Sequence, residues 1–114
     1  MLVENRKGKV LVNGRLAGFI IEYRDNTKES YTFTYDDAYL SDGSPIGYHF
    51  PISEKHYEFD TFPPFFANLV SEGWLRAYQS KKARLDKTDS FGLLLANGKE
   101  LIGAVSILPM EQNN

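Results

Sequence analysis

Residues 9–23 read KVLVNGRLAGFIIEY, two β-prone runs joined by Asn13-Gly14. A type I′ hairpin turn needs positive φ at both central residues, and Asn-Gly adopts that conformation readily. The sequence therefore predicts a short strand over residues 9–13, a tight turn, and a second strand that ends near Tyr23. Gly18 inside the second strand predicts a β-bulge or a close approach of neighbouring backbone.

A third strand is predicted where Tyr31, Phe33 and Tyr35 alternate with threonines, because a period of two places the three rings on one face. Such a face could stack RNA bases. It lacks the interleaved Arg, Lys and Gly of RNA-binding platforms, so packing in the core is favoured. The polar, Gly- and Pro-containing residues 36–47 predict a loop, and residues 48–52 predict another short strand.

Helices are predicted in the second half of the chain. Pro63-Pro64 indicates a helix start, since proline suits the first helical turn, and Asp60 or Thr61 is expected to cap it. A later short helix is expected after Thr88 or Asp89, which would cap it. Gly98 is expected to end that helix. A last strand is predicted over residues 101–108, and residues 111–114 are expected to fray.

Between these two helices, Ser71 is expected to cap a longer helix that runs to about Leu85. On a helical wheel Trp74, Tyr78 and Leu85 share one apolar arc, while bases occupy the opposite side. The arc could pack into the core. Alternatively, Trp74 could contact a partner, because tryptophan is enriched at interface hot spots.

The order of elements, strands first, then helices, then one strand, indicates the α+β class. We expect an antiparallel or mixed sheet of N-terminal strands, two to three short helices and a final C-terminal strand. The length of 114 residues allows one domain, so residues 1–114 are predicted to form it, with a core over about 8–109.

Composition excludes several classes of protein. The chain has no cysteine, which removes disulfide frameworks, Cys-based zinc sites, iron–sulfur clusters and thiol nucleophiles, and favours a reducing compartment such as the cytoplasm. The first seven residues lack the apolar run of a signal peptide. No apolar stretch approaches the roughly 20 residues of a membrane helix, so no association with a membrane is expected.

Charge is unevenly distributed along the chain. Residues 22–60 contain nine acids and three bases, a balance of −6, whereas residues 76–87 contain five bases and one acid, a balance of +4. This asymmetry favours oriented docking to a charged partner, or it marks two solvated faces. The basic segment could also contact nucleic-acid phosphates, although the net charge of −2 argues against the whole chain as a nucleic-acid binder.

No catalytic motif is present in the sequence. It contains no Walker A loop, no Gly-x-Ser-x-Gly elbow and no kinase catalytic loop, so we expect no enzyme activity and no cofactor. His49 and His56 lie near two acids, but no recognised metal-ligand spacing matches. Asp36-Asp37 could serve as an acid–base pair, although turn capping is favoured just after a strand.

Several short motifs occur in an order that resembles the N-terminal subdomain of the HipA kinases, bacterial toxins of toxin–antitoxin systems. The motifs are VNGRLAG (12–18), YTFTYD (31–36), FPI (50–52), FFANLVSEGWLR (65–76), FGLL (91–94) and GKELIGAV (98–105). The resemblance covers residues 8–109. It departs from the family at Ser71, where the family usually has proline. The family's kinase core has no counterpart here, so its catalytic residues are not carried over.

The resemblance implies a function. A free-standing version of the subdomain is similar to HipS, the antitoxin of tripartite systems in which the kinase, HipT, lacks this subdomain and HipB is a small helix-turn-helix protein. We therefore expect a cytoplasmic antitoxin that binds a HipT-like serine/threonine kinase. HipB and, through it, operator DNA are possible further partners. The alternatives are an activating subunit of a split kinase and a nucleic-acid-binding module. The expected partner contacts are Glu72, Gly73, Trp74 and Arg76.

Overall fold

The computed structural model describes residues 2–100 and 104–110, apart from the side chains of Trp74 and Glu100. The elements, in chain order, are β1 (Val3–Val12), β2 (Arg15–Arg24), β3 (Glu29–Tyr35), α1 (Asp37–Asp42), β4 (His56–Phe59), α2 (Pro64–Ala67), α3 (Gly73–Ala83), α4 (Ser90–Asn97), a 3₁₀ turn (Gly98–Glu100) and β5 (Val105–Met110). The predicted α+β class is confirmed. Within the described residues there are four helices rather than two to three.

The five strands form one sheet in the order β4-β3-β2-β1-β5. Every neighbouring pair is antiparallel, so of the two predicted sheet types the antiparallel one is observed. The final strand returns to the sheet beside β1, where Val12 pairs with Val105 and Lys7 with Met110. The N-terminal hairpin therefore lies in the middle of the sheet and carries strands on both sides.

The hairpin turn is confirmed at Asn13-Gly14, with φ of 51° and 82°. The first strand is longer than predicted, because it begins at Val3 instead of residue 9. Its early residues are polar and mostly exposed, so no hydrophobic alternation marks them. They are held by pairing with β2, in which Val3 lies opposite Arg24.

Both features predicted for Gly18 are present. Val10 pairs with Gly18 whereas Leu11 pairs with Leu16, which leaves Ala17 as the extra residue of a bulge. A β-carbon at Gly18 would overlap the backbone oxygen of Thr34 and lie 2.8 Å from the ring of Phe33. Glycine is therefore required where β2 and β3 approach each other.

The core lies between one face of the sheet and the helices. Tyr31, Phe33 and Tyr35 are all buried, which confirms core packing and removes them as an RNA-stacking platform. Phe50 lies at the centre of the aromatic cluster, with its ring 5.3 Å from that of Phe33 and 5.8 Å from that of Phe66.

Two predictions between β3 and α2 are wrong. Residues 36–47 are not only loop, because α1 forms there, and the ring of Tyr39 stacks on that of Tyr35 at 5.9 Å. Residues 48–52 form turns instead of a strand, and β4 pairs with β3 instead. The hydroxyl of Tyr35 donates to the backbone oxygen of Phe50, so a tertiary contact holds this segment in its turns.

Helix positions are largely as predicted, but their caps differ. α2 begins at Pro64 after Pro63, so Asp60 and Thr61 do not cap it. α3 begins after Glu72 rather than Ser71 and ends at Ala83, because Arg84 adopts a left-handed conformation.

The cap of α4 is confirmed. The carboxylate of Asp89 accepts from the backbone N–H of Gly92, and Gly98 ends the helix. The last strand, predicted over 101–108, runs over Val105–Met110, and the described Ala104 is not part of it. Residues 101–103 and 111–114 lie outside the described part of the chain.

Candidate partner-binding surface

The four predicted contact residues lie at the start of α3. Glu72 is exposed, extended, and makes no side-chain capping bond. Gly73 has φ of +63°, and a β-carbon there would meet nothing within 4 Å. Glycine is therefore needed for the backbone conformation of this turn rather than for space. Trp74 lies in the first turn of α3, but its side chain is outside the described part.

Arg76 makes bonds within the chain. Its Nε donates to the carbonyl of Lys87 at 2.6 Å, and one terminal nitrogen donates to the hydroxyl of Ser90 at 2.9 Å. Both acceptors lie near the start of α4. Arg76 thus joins α3 to the beginning of α4 and holds the two helices at a set separation.

The apolar arc predicted for this helix is divided, because Leu85 packs against the core whereas Tyr78 faces solvent. Tyr78 is 56% exposed and Leu75 is 37% exposed, whereas among the described side chains of the helix the buried one is Ser80, whose hydroxyl donates to the carbonyl of Ala77. α3 touches the rest of the fold chiefly through α4. The helix therefore presents apolar side chains to solvent.

A cavity of about 340 Å³ opens beside these exposed side chains. Leu69, Val70, Leu93 and Leu94 supply its apolar lining, and α3 contributes Leu75 and Gln79. A second hollow of about 300 Å³ shares Gln79 and Asn97 with the first and extends to Lys99. Together they form a groove between α3 and α4, which we call the α3–α4 groove. The sequence did not indicate it, because it depends on how two helices pack.

A buried ionic cluster ties the other end of α4 to the sheet. Arg6 donates to both oxygens of Glu22, at 2.8 and 3.0 Å, and to both oxygens of Asp89, at 2.8 and 2.9 Å. Glu22 is 0% exposed, and Asn5 and Tyr31 also donate to it. We call Arg6, Glu22 and Asp89 the ionic cluster. It borders a cavity of about 500 Å³.

The ionic cluster alters the acidity of its members. Burial raises the pKa of Glu22, but hydrogen bonds from Arg6 and Asn5 outweigh it and hold the pKa below its usual 4.5. Hydrogen bonds from Arg6 lower the pKa of Asp89 below its usual 3.8. Both carboxylates are therefore charged near neutral pH. Each of these charged groups has ionic and hydrogen-bond partners within the chain. The cluster therefore suits a structural role better than acid–base chemistry.

The sequence missed this cluster. Asp89 was predicted as a helix cap, but its partner Arg6 is 83 residues away. One signal for it lies in the alternation of β2. Glu22 falls two residues after the buried Ile20, on the inward-facing side of the strand, where an apolar residue would be expected.

Other candidate residues have local partners. His56 lies in β4, and its Nδ1 is 2.7 Å from the hydroxyl of Thr34. Asp37 pairs with Lys55 at 2.6 Å, and Asp36 precedes α1 at the N-cap without a side-chain cap bond. In the described residues, no group of three His, Cys, Asp or Glu side chains could hold a metal. Among the described helices, none has the length and apolar character needed to cross a bilayer.

An antiparallel sheet covered by short helices, with a solvent-facing groove, defines the chain as a small α+β domain. The model of the HipA N-terminal domain family matches residues 8–108, so the chain belongs to that family. A solved structure, the N-terminal domain of a HipA toxin, is similar with a TM-score of 0.70 and 33% identity, covering 96% of both chains. This N-terminal domain is not the catalytic part of a HipA kinase.

Two curated proteins are also similar. An uncharacterized protein of Haemophilus influenzae is 36% identical over 107 residues, which cover 94% of this chain and 95% of that protein. A candidate kinase of Sinorhizobium fredii, Y4dM, is 31% identical over 106 residues, which cover 85% of this chain and only 26% of that protein. The domain thus occurs both in a relative of similar length and as about a quarter of a longer protein.

Proposed function

We propose that this protein is an antitoxin that binds a HipA-like serine/threonine kinase, encoded as a separate chain, and neutralises it by direct contact. The observation that carries the proposal is the similarity to the N-terminal domain of a HipA toxin over 96% of both chains. In the family that the sequence resembles, this domain packs against a kinase core. A copy of the domain in a separate chain would then find a complementary surface on a kinase that lacks this domain.

The two curated relatives support this arrangement. One relative is almost wholly covered by the domain, and the other, named as a candidate kinase, contains it as about a quarter of its length. A domain found in both settings can bind, from a separate chain, the kind of kinase to which it is joined in the longer protein. The proposal includes a cytoplasmic, non-enzymatic role, with a HipB-like helix-turn-helix protein and its operator DNA as further members of the complex.

The start of α3 is the proposed contact region. Glu72 and Gly73 are exposed there, and Leu75, next along the helix from Trp74, is also partly exposed. Arg76 positions this turn against α4 through its bonds to Lys87 and Ser90. Bound to a kinase, this region would either block substrate access or hold the kinase in an inactive arrangement.

Co-expression tests the proposal. A HipA-like kinase encoded beside this protein is expressed alone, with this protein, and in a catalytically inactive form as the control for toxicity. We expect arrest by the active kinase alone and relief when this protein is present. Growth arrest that persists or deepens while the two proteins form a soluble complex contradicts the antitoxin function.

The alternative is an activating subunit of a split kinase. It is favoured by Y4dM, in which the similar segment belongs to the same chain as the rest of that candidate kinase. Phosphorylation by the purified kinase distinguishes the two functions. Adding this protein lowers the rate if it is an antitoxin and raises it if it completes the enzyme.

A further inference from the structure

We infer that the α3–α4 groove receives an apolar side chain carried on an acidic segment of the partner kinase. This inference rests on the proposed function and specifies the chemistry of the partner surface. It goes beyond the four residues predicted from sequence, because most of the groove is formed by α4 and by the chain between α2 and α3.

The floor of the groove is rigid and apolar. Leu93, Leu94 and Val70 line it and are buried members of the core, so their positions are determined by the fold itself. A preformed apolar pocket is the setting in which interface hot spots occur, since the inserted side chain is desolvated without any rearrangement. The volume of about 340 Å³ lies at the small end of the roughly 300–1,000 Å³ range of ligand pockets, which suits one bulky side chain.

Leu75 and Gln79 line the groove from α3. Lys82 does not line the groove, but its spacing of seven residues from Leu75 and three from Gln79 places it beside the groove on the same side of the helix. Lys99 lines the other end. Both lysines are exposed. Among the described residues that line the groove there is no carboxylate.

Charge complementarity therefore selects the occupant. A segment with carboxylates beside its apolar anchor would be attracted to Lys82 and Lys99, whereas a basic segment would be repelled. The salt bridges of the described residues do not include these two lysines, so their charges are available to a partner.

Three single substitutions in the full chain test the inference. Leu75→Glu puts a charge at the apolar rim, and Lys82→Glu reverses a charge beside the groove. Lys81→Glu is the matched control, because it changes the net charge equally from the next position of α3, which does not share a side with Gln79. Affinity for the catalytically inactive kinase is measured by calorimetry at low and physiological salt. Thermal melts confirm that the three variants, all at exposed positions, remain folded.

We expect Leu75→Glu to weaken binding by roughly 30-fold or more, as for a hot-spot residue. Lys82→Glu should weaken binding by about tenfold, with a reduced salt dependence, and Lys81→Glu by less than about threefold. Equal losses from Lys81→Glu and Lys82→Glu, or unchanged affinity in Leu75→Glu, overturn the groove as the docking site while the proposed function stands. Failure of the unaltered chain to bind the kinase instead overturns the proposed function, and the inference with it.

Discussion

Trp74 is the residue for which the sequence poses the sharpest choice. The sequence left two roles open, a core position with Tyr78 and Leu85 or a partner contact. Tyr78 is 56% exposed whereas Leu85 packs against the core, so the described members of the arc do not share one environment. The contact role of Trp74 is therefore a proposal, which a substitution can test.

We expect Trp74→Ala to abolish kinase binding while the melting temperature is retained. Tyr48→Ala is the control, because Tyr48 is an aromatic side chain that is 93% exposed in a turn outside α3, and its loss should leave binding unchanged. Calorimetry and thermal melts on the same samples check both. A fall of several degrees in the melting temperature of Trp74→Ala would instead assign the side chain to the core, where such a truncation costs roughly 3–5 kcal/mol.

At the scale of elements, the ionic cluster joins β1, β2 and α4. Arg6 is shared between a fully buried carboxylate and the carboxylate that caps α4, and its guanidinium lies 5.4 Å from the ring centre of Phe91. Removing the arginine would leave Glu22 buried without its main counter-charge. The cluster therefore determines how α4, one wall of the α3–α4 groove, is held against the sheet.

Arg6→Ala should lower the free energy of unfolding by up to about 3–5 kcal/mol, the usual cost of removing one partner of a buried ion pair, because among the described residues only the half-exposed Arg24, 3.3 Å from Glu22, would remain as a counter-charge. Lys55→Ala is the control, since its pair with Asp37 at 2.6 Å is exposed on both sides and should contribute less than about 1 kcal/mol. Denaturant unfolding of both variants measures the difference. Similar midpoints for the two would show that the buried cluster does not stabilise the fold.

The cluster also predicts how stability depends on pH. The pKa values of Glu22 and Asp89 are lower in the folded state than their usual 4.5 and 3.8, so their stabilisation is complete above those values. It is lost as pH falls through the folded pKa values. We expect the unaltered protein to lose stability steadily below about pH 4. Asp89→Asn should be less stable near neutral pH and should lose less on acidification.

Unfolding curves recorded from about pH 7 to about pH 3 test this dependence. Glu22 remains in the variant, so part of the acid sensitivity should persist. Parallel loss of stability in the two proteins over this range would mean that Asp89 does not titrate with folding.

At the scale of the whole molecule, part of the charge asymmetry is neutralised by folding. Glu22 is buried against Arg6 and Asp42 pairs with Arg15, and both bases come from outside residues 22–60. The balance of −6 counted over residues 22–60 therefore overstates the exposed acidic charge of that segment. On α3, by contrast, Lys81 and Lys82 are exposed, so the basic side of the asymmetry remains at the surface.

The isolated domain should not bind Mg-ATP. The sequence has no phosphate-binding loop and no paired lysine and metal-binding carboxylates in a kinase arrangement, and the family domain is not the catalytic part of a HipA kinase. Calorimetry with Mg-ATP should show no heat of binding, whereas the partner kinase, titrated in parallel, should bind it. Micromolar affinity of this protein for Mg-ATP would contradict the prediction.

Local chemistry made much of the fold predictable from sequence. Asn13-Gly14 specifies its turn through backbone conformation, Gly18 marks a bulge, and Asp89 caps α4, each within a few residues of its effect. Alternation alone was enough to identify the buried aromatic face of β3. The α+β class followed from the order of these elements.

Tertiary contacts decided the rest. α1, the turns around Phe50 and the pairing of β4 depend on rings and hydroxyls from distant residues, such as the bond from Tyr35 to the backbone of Phe50. The α3–α4 groove and the contact between Arg6 and Asp89 likewise join parts of the chain that are far apart in sequence. Periodicity and capping report only on neighbours a few residues away, so the surface that we propose for the partner emerged only when the helices were packed on the sheet.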